Sequence, residues 1–271
     1  MGLLSPQKIA AFQKHILDWY NVHKRDLPWR QTRDPYKILV SEVMSQQTQI
    51  SRVIPKYEAW IAAFPTMQSV ATAQVRDVLT LWSGLGYNRR ALYLQKCAQV
   101  IVRDYKGVFP QDEQELLNLP GIGKYTAQAL LCFAFNKQVA VLDTNVKKVI
   151  LTQLAKKQYL SEKDLEEIAK AILPTGKAYA WNQALMDYAG IKLKKEKMYI
   201  PKQSKFKDSD RYFRGRILAY VLEKHSITKD VLFANVSQYN VLSHERFERI
   251  LQKLDKETFI RLEGNNIIVG E

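Results

Sequence analysis

Cysteine is nearly absent. Two residues in 271, Cys97 and Cys132, cannot supply the four thiolates of an iron–sulfur cluster or of an all-cysteine zinc site. They also give no disulfide framework, which points to a reducing cytosol. Long apolar runs are missing: no stretch approaches the roughly 18 apolar residues of a membrane span. The opening MGLLSPQKIAAFQKHILDWY carries charges throughout and has no small-residue cleavage site. Acids are scarce beside bases. Lys plus Arg is 41 against 27 Asp plus Glu, a formal net charge of +14, so the expected partner is a polyanion, nucleic acid by default. With 46% apolar and 11% aromatic residues, the chain has the core-forming material that a disordered basic tail lacks. A soluble, cytoplasmic, globular protein is the expectation.

The length suffices for two compact domains, and helical periodicity runs almost to the end. Residues 6–23 put Ile9, Phe12, Ile16, Trp19 and Tyr20 on one stripe. The Pro- and charge-rich 24–35 is read as a loop. Further helices are expected at about 36–49, 51–63, 75–82, 89–105, 113–118, 124–135, 161–172 and 178–190. The stretch VAVLD (139–143) is too short for a sheet and leads into a helix capped by Asp143 or Asn145. Residues 192–216 gather ten Lys and Arg against three acids and form the best linker candidate. Beyond it, 210–271 reads as three helices, one at about 243–254, and two short apolar stretches, FIRLEG and NNIIVG. That order suggests a winged-helix module, entered through Arg211, Arg214 and Arg216 and able to bind DNA; a helical cap that only shields the core is the plainer alternative. The fold class is mainly α.

Three features can carry chemistry. In LNLPGIGKYTAQAL (117–130), Pro120 stops one helix, and Gly121 and Gly123 flank Ile122 before another starts at Lys124. Bare backbone amides at such a turn make a nest for a phosphate oxygen, the behaviour of a helix-hairpin-helix that grips nucleic acid without reading bases. An ordinary tight turn is the plainer reading, which the flanking apolar helices and the positive charge outweigh. Glu42, within ILVSEVM (38–44), has Ile38, Leu39 and Ser45 as helical neighbours, so its carboxyl emerges beside apolar surface and its pKa should rise toward the range of a general acid. A salt-bridged helix-edge Glu is the plainer alternative. QQTQ (46–49) follows, with long amides suited to wedging into a base stack. Asp143, in VLDTNV, reads first as a helix cap, yet it lies 20 residues past Gly123. A fixed anion near a gripped nucleotide would stabilise positive charge at C1′ during glycosidic cleavage.

The segments RDLPWRQTRDPYKILVSEVMSQQTQ, WSGLGYNRRALYL, LPGIGKYTA, VLDTNV and WNQALMDYAG occur in this order over roughly residues 5–200. Together they make the chain resemble the helix-hairpin-helix DNA glycosylases, specifically the adenine DNA glycosylase (MutY) family. The resemblance implies two helical subdomains with a cleft between them, a flipped-out base, and these roles. Glu42 matches the acid that protonates adenine N7 and helps activate water, and Asp143 the carboxylate facing the oxocarbenium-like intermediate. Tyr125 and Asn145 match supporting residues. Gln47 matches an intercalating side chain, and Tyr87, with Arg89 nearby, a tyrosine beside the opposite-strand base. Gly121, Ile122, Gly123 and Lys124 match the phosphate-binding hairpin. Arg25, Leu27, Trp29, Arg30 and Gln183 match positions around the adenine pocket. Relatives that also cut the backbone carry a lysine where Tyr125 stands, so a monofunctional hydrolase is implied.

Three departures stand out. The family's four cluster cysteines are missing after WNQALMDYAG, so no iron–sulfur cluster and no other cofactor or metal is expected. Residues 208–271 are too short for the family's usual 8-oxoguanine-recognition domain. Ser45 replaces a frequent wedge leucine. The expected layout is a glycosylase core at 1–207, comprising a six-helix subdomain at about 28–145 and a second from 1–27 plus 146–200, followed by the module at 208–271. The expected function is base excision repair: removal of adenine opposite 8-oxoguanine or guanine in double-stranded DNA, by a monomer that is nucleoid-associated if prokaryotic. The alternatives are a thymine or uracil mismatch glycosylase of the same fold and a non-catalytic DNA-binding protein.

Overall fold

The computed structural model describes residues 5–155, 160–196, 205–237 and 242–270. Part of the basic run, 197–204 with Lys197, therefore lies outside the described residues. Helix α1 (Pro6–His23) starts on the Ser5 cap and α2 (Pro35–Ser45) on Asp34, which accepts the Tyr36 N–H. There follow α3 (Ile50–Ala63), α4 (Met67–Ala71), α5 (Val75–Trp82), α6 (Arg89–Asp104), α7 (Glu113–Leu117), α8 (Lys124–Phe133) and α9 (Thr144–Val149), which runs on into a π-helical turn at Ile150–Leu154. Next come α10 (Glu162–Ala171), behind a Ser161–Asp164 capping box, and α11 (Ala178–Ile191). The chain closes with α12 (Asp210–Lys224), β1 (Ser226–Thr228), α13 (Lys229–Val236), α14 (His244–Lys256), β2 (Ile260–Glu263) and β3 (Asn266–Val269).

Most expected helices are present, and the differences have local causes. α2 stops at Ser45 rather than 49, because Gln46 turns extended and Gln47 enters the left-handed region at φ 52°. QQTQ is thus a turn. The short α4 was not expected from periodicity; a capping box between Thr66 and Ser69 holds it. β1, three residues long, shows no alternation to read, and it pairs with the distant β3.

By packing, the chain divides into two units, Met1–Gln47 with Val100–Ile200, and Thr48–Gln99 with Pro201–Glu271. In the first, α1 and α9 pack on α11, and α2 on α8. The core shared by α1, α9 with its π-helical turn, α10 and α11 includes Ile16, Tyr20, Val146, Ile150, Leu165, Trp181, Leu185 and Tyr188, with Met186 partly buried against it. Phe12 meets Trp181 edge-on, ring centroids 5.7 Å apart. α11 is therefore anchored by apolar contact.

In the second unit α3 packs on α5, where Trp60 meets Trp82 edge-on at 5.7 Å, and α12 also packs on α5. The packing boundary consequently differs from the one expected at residue 207. The strands form a sheet in the order β1-β3-β2, all antiparallel, with Ile267 opposite both Ile227 and Leu262. Helix, strand, two helices and a hairpin make a winged-helix-like module around buried Phe247, Ile250, Leu254 and Phe259. Gly270 is required at its edge, since a Cβ there would lie 2.1 Å from the Thr258 carbonyl oxygen. The formal charge of this module is balanced. Residues 208–271 hold ten basic and ten acidic side chains, and several of the cations pair internally. Arg214 forks onto Glu257 at 3.0 and 2.6 Å, Arg246 bonds Asp210 at 2.7 Å, and Lys229 bonds Glu248 at 3.0 Å.

Candidate active site

Helix α2 is buried on every side from Ile38 to Met44, and Glu42 is the acid within that stretch, 9% exposed. Packing of α2 on α8 brings Tyr125 to it, and the phenol hydroxyl donates a hydrogen bond to the Glu42 carboxylate. Burial pushes the Glu42 carboxyl up to about 7, and the nearby Asp143 charge adds to the rise, while the Tyr125 bond and the Arg30 cation oppose it. A carboxyl poised there is close to half-protonated at neutral pH, the condition for a general acid–base group. Burial, together with Glu42 and Asp143, holds the Tyr125 phenol well above its usual range, so it stays a donor.

Asp143 is the N-cap of α9. It accepts the Val146 N–H at 2.7 Å and the Asn145 side-chain amide at 2.7 Å. Burial raises its carboxyl, and these donors work against the rise. The cap reading and the catalytic reading of Asp143 are therefore compatible, since the cap fixes the carboxylate in the field of Glu42. The structure brings Glu42, Tyr125, Asp143 and Asn145 together.

Two of the expected pocket residues, Arg25 and Arg30, gather around an acid that the sequence reading missed. Asp187, on α11, is fully buried. Arg30 forks onto it at 2.8 and 2.8 Å, and Arg25 donates its backbone N–H at 3.0 Å and its Nε at 2.6 Å. Burial alone would raise the Asp187 carboxyl, but the Arg30 guanidinium and the Arg25 bonds outweigh it and hold the group below the usual carboxylate range. The cationic heads of Arg25 and Arg30 are thus committed to Asp187. Leu27, Trp29 and Gln183 are buried, Gln183 one helical turn before Asp187. A signal was available: Asp187 is the sole charged residue between 178 and 191.

The hairpin between α7 and α8 has Gly121 at φ 78° and Ile122 buried as its anchor, while Gly121, Gly123 and Lys124 face solvent. Gly123 caps α8 without a side chain, which keeps the helix start open to an anion. Lys124, however, is paired with Glu166 of α10 at 2.6 Å, a second residue the sequence reading missed. Both ends are partly exposed, so the pair is weak and exchangeable. Replacement of Glu166 by Gln is expected to tighten binding to any duplex by roughly three- to fivefold and to steepen its salt dependence. Titration of labelled duplexes at several salt concentrations checks this; unchanged affinity and slope would remove Lys124 from the phosphate contacts.

Gln47 is exposed and left-handed at the exit of α2. Tyr87 and Arg89 belong to the second unit. Tyr87 is also left-handed, φ 49°, and 49% exposed, and Arg89 donates to the Tyr93 hydroxyl at 3.2 Å.

The donor set does not fit an iron–sulfur cluster. Cys97 and Cys132 are both buried, their thiols pushed up to about 12 and about 11 by burial, and two thiols fall short of four. Among the described residues, no group of three or more His, Cys, Asp and Glu side chains could hold a metal ion, and no helix is long and apolar enough to cross a membrane.

Similarity to known proteins follows the same residues. The chain is 45% identical over 175 residues to an adenine DNA glycosylase of Mycolicibacterium smegmatis, covering 64% of this chain and 60% of that protein. It is 34% identical over 228 residues to the adenine DNA glycosylase of Rattus norvegicus, covering 78% of this chain and 44% of that one. The chain thus spans about half of the length of the curated relatives it matches. A solved structure of a thermostable thymine-DNA glycosylase is 31% identical, with a TM-score of 0.64, covering 74% of this chain and 91% of that chain. Residues 40–175, which run from the Glu42 helix past the hairpin and Asp143, match the HhH-GPD superfamily of base excision DNA repair proteins, and the chain belongs to that family.

Proposed function

We propose that this chain is a monofunctional DNA glycosylase that removes adenine mispaired with 8-oxoguanine or guanine. The observation that carries the proposal is Glu42, a buried carboxyl raised to about 7 with the Tyr125 hydroxyl on it and Asp143 in its field. On a flipped adenine, protonated Glu42 gives its proton to N7, and the C1′–N9 bond breaks with the pair leaving on the base. Asp143 balances the positive charge at C1′. The Glu42 carboxylate then takes a proton from the attacking water, whose oxygen bonds C1′, and the acid is restored. Gly121, Ile122, Gly123 and Lys124 grip the backbone; Gln47 and Tyr87, with Arg89, engage the stack; Leu27, Trp29, Gln183 and the Arg25–Arg30–Asp187 cluster line the base pocket. The partner is double-stranded DNA, the enzyme works as a cytoplasmic monomer, and it needs no cofactor.

A second reading, excision of thymine or uracil from mismatches with guanine, keeps support from one observation. The thymine-DNA glycosylase structure is covered to 91% of its length, the mycobacterial adenine enzyme to 60%. Duplexes carrying A·8-oxoguanine, A·G, T·G and U·G separate the two. The expected result is adenine release from the first two, an abasic product with an intact backbone, and no borohydride-trapped adduct, since position 125 is tyrosine. Release of thymine or uracil without adenine would overturn the substrate assignment, and abundant trapped adduct the monofunctional one.

A further inference from the structure

Arg90, in the first turn of α6, lies where two turns meet. Its Nη2 is 3.1 Å from the Gly86 carbonyl oxygen, 3.4 Å from that of Leu85 and 3.2 Å from Thr48 Oγ1. The guanidinium also lies over two rings, 5.2 Å from the centroid of Trp82 and 5.6 Å from that of Tyr87. Trp82 closes the same turn, donating its indole N–H to the Gly86 carbonyl at 3.1 Å.

That turn needs holding. Gly84, Gly86 and Tyr87 all sit in the left-handed region, at φ 91°, 71° and 49°, and for Tyr87 this conformation is costly unless its surroundings impose it. Thr48, the other partner of Arg90, directly follows Gln47, itself left-handed at φ 52°. The Arg90 guanidinium therefore ties the turn that presents Tyr87 to Thr48 within the second unit. A lysine could carry the charge but has no planar guanidinium to lie over two rings while its terminal nitrogen holds the three oxygens.

We infer that Arg90 is a positioning residue that sets the pose of Tyr87, and thereby the discrimination among bases opposite the target. The inference rests on the proposed role of Tyr87 in the DNA stack, and it makes no use of which base is excised.

The test is equilibrium binding to duplexes with a tetrahydrofuran abasic analogue opposite 8-oxoguanine, guanine or cytosine. These probes contain no target base, so the adenine assignment can fail without disturbing the result. Wild type is expected to rank the three partners. Arg90→Lys, with a melting temperature close to wild type, is expected to lose roughly tenfold of that selectivity, the equivalent of one or two hydrogen bonds. Thr48→Val, which removes one contact at nearly constant volume, should lose part of it even if Arg90→Lys proves unstable. Tyr87→Ala should lose as much as Arg90→Lys, and the double variant no more than either, because both act through one group. Each of four results would overturn the inference: a wild type that does not rank the partners; a Tyr87→Ala variant that ranks them as wild type does; retained selectivity in Arg90→Lys and Thr48→Val; or multiplicative losses in the double variant.

Discussion

Glu42→Gln is expected to slow base excision by about 10²–10⁴-fold, the usual contribution of a general acid–base group, with duplex affinity nearly unchanged. The amide keeps the size of the carboxyl and can still accept the Tyr125 hydroxyl, but it has no acid proton to deliver. The same substitution is expected to stabilise the protein. The Glu42 carboxyl titrates near 7 in the folded state against an ordinary value of 4.5, so above pH 4.5 the folded state holds a proton that the unfolded state has released. Stability therefore falls as pH rises between these two values, by up to about 3 kcal/mol in total. The glutamine variant lacks this loss. Its melting temperature should exceed that of wild type at pH 8, and the gap should close toward pH 4.5. Single-turnover excision near the wild-type rate would place the acid elsewhere, and equal melting at pH 8 would mean that Glu42 is not held against its preference.

Asp187→Ala is expected to cost about 3–5 kcal/mol of folding stability, the penalty of stripping the partner from buried charge. Arg30, whose side chain is 9% exposed, would keep its guanidinium in the interior without a counter-ion, while Arg25, at 30%, could turn partly to water. Urea unfolding at neutral pH should show the loss as a lower midpoint at similar slope. Acid gives an independent sign. Asp187 titrates below the ordinary 3.8 in the fold, so its contribution is complete above that value and disappears as pH drops through the lowered one. Wild type should lose stability in that window, and the variant should lack this component. A midpoint shift worth less than about 1 kcal/mol would show that the cluster is neutral to folding.

What the sequence revealed, and what it hid, divides by range. α5 was legible over 75–82 because its apolar stripe is local, and α8 because Pro120 and the two glycines punctuate its start. Glu42 was legible as a perturbed acid because its own helix supplies the apolar neighbours. The partners of Arg25 and Arg30 were not legible. Both match, by resemblance, positions around the base pocket; their common acid lies on a helix more than 150 residues away, and its being the lone acid there does not name its partners. Lys124 repeats the lesson on a smaller scale, since Glu166 belongs to a helix that reads as an ordinary charged surface. In the C-terminal module the order of helices and hairpin was readable, but its cations were counted without their acids. Arg214, one of the three entry arginines, pairs with Glu257, and Arg246 with Asp210, contacts across the module that no local pattern announces.

If a carboxyl titrating near neutrality drives the chemistry, the pH dependence of excision carries its signature. Rates on an A·8-oxoguanine duplex should be measured at enzyme concentrations below saturation, so that the profile reports groups of the free enzyme. The account predicts an alkaline limb in which the rate falls tenfold per pH unit above an apparent pKa near 7, the Glu42 value, and which is missing from the residual activity of Glu42→Gln. A rate that stays level from about pH 6 to 9, or the same limb persisting in Glu42→Gln, would contradict it.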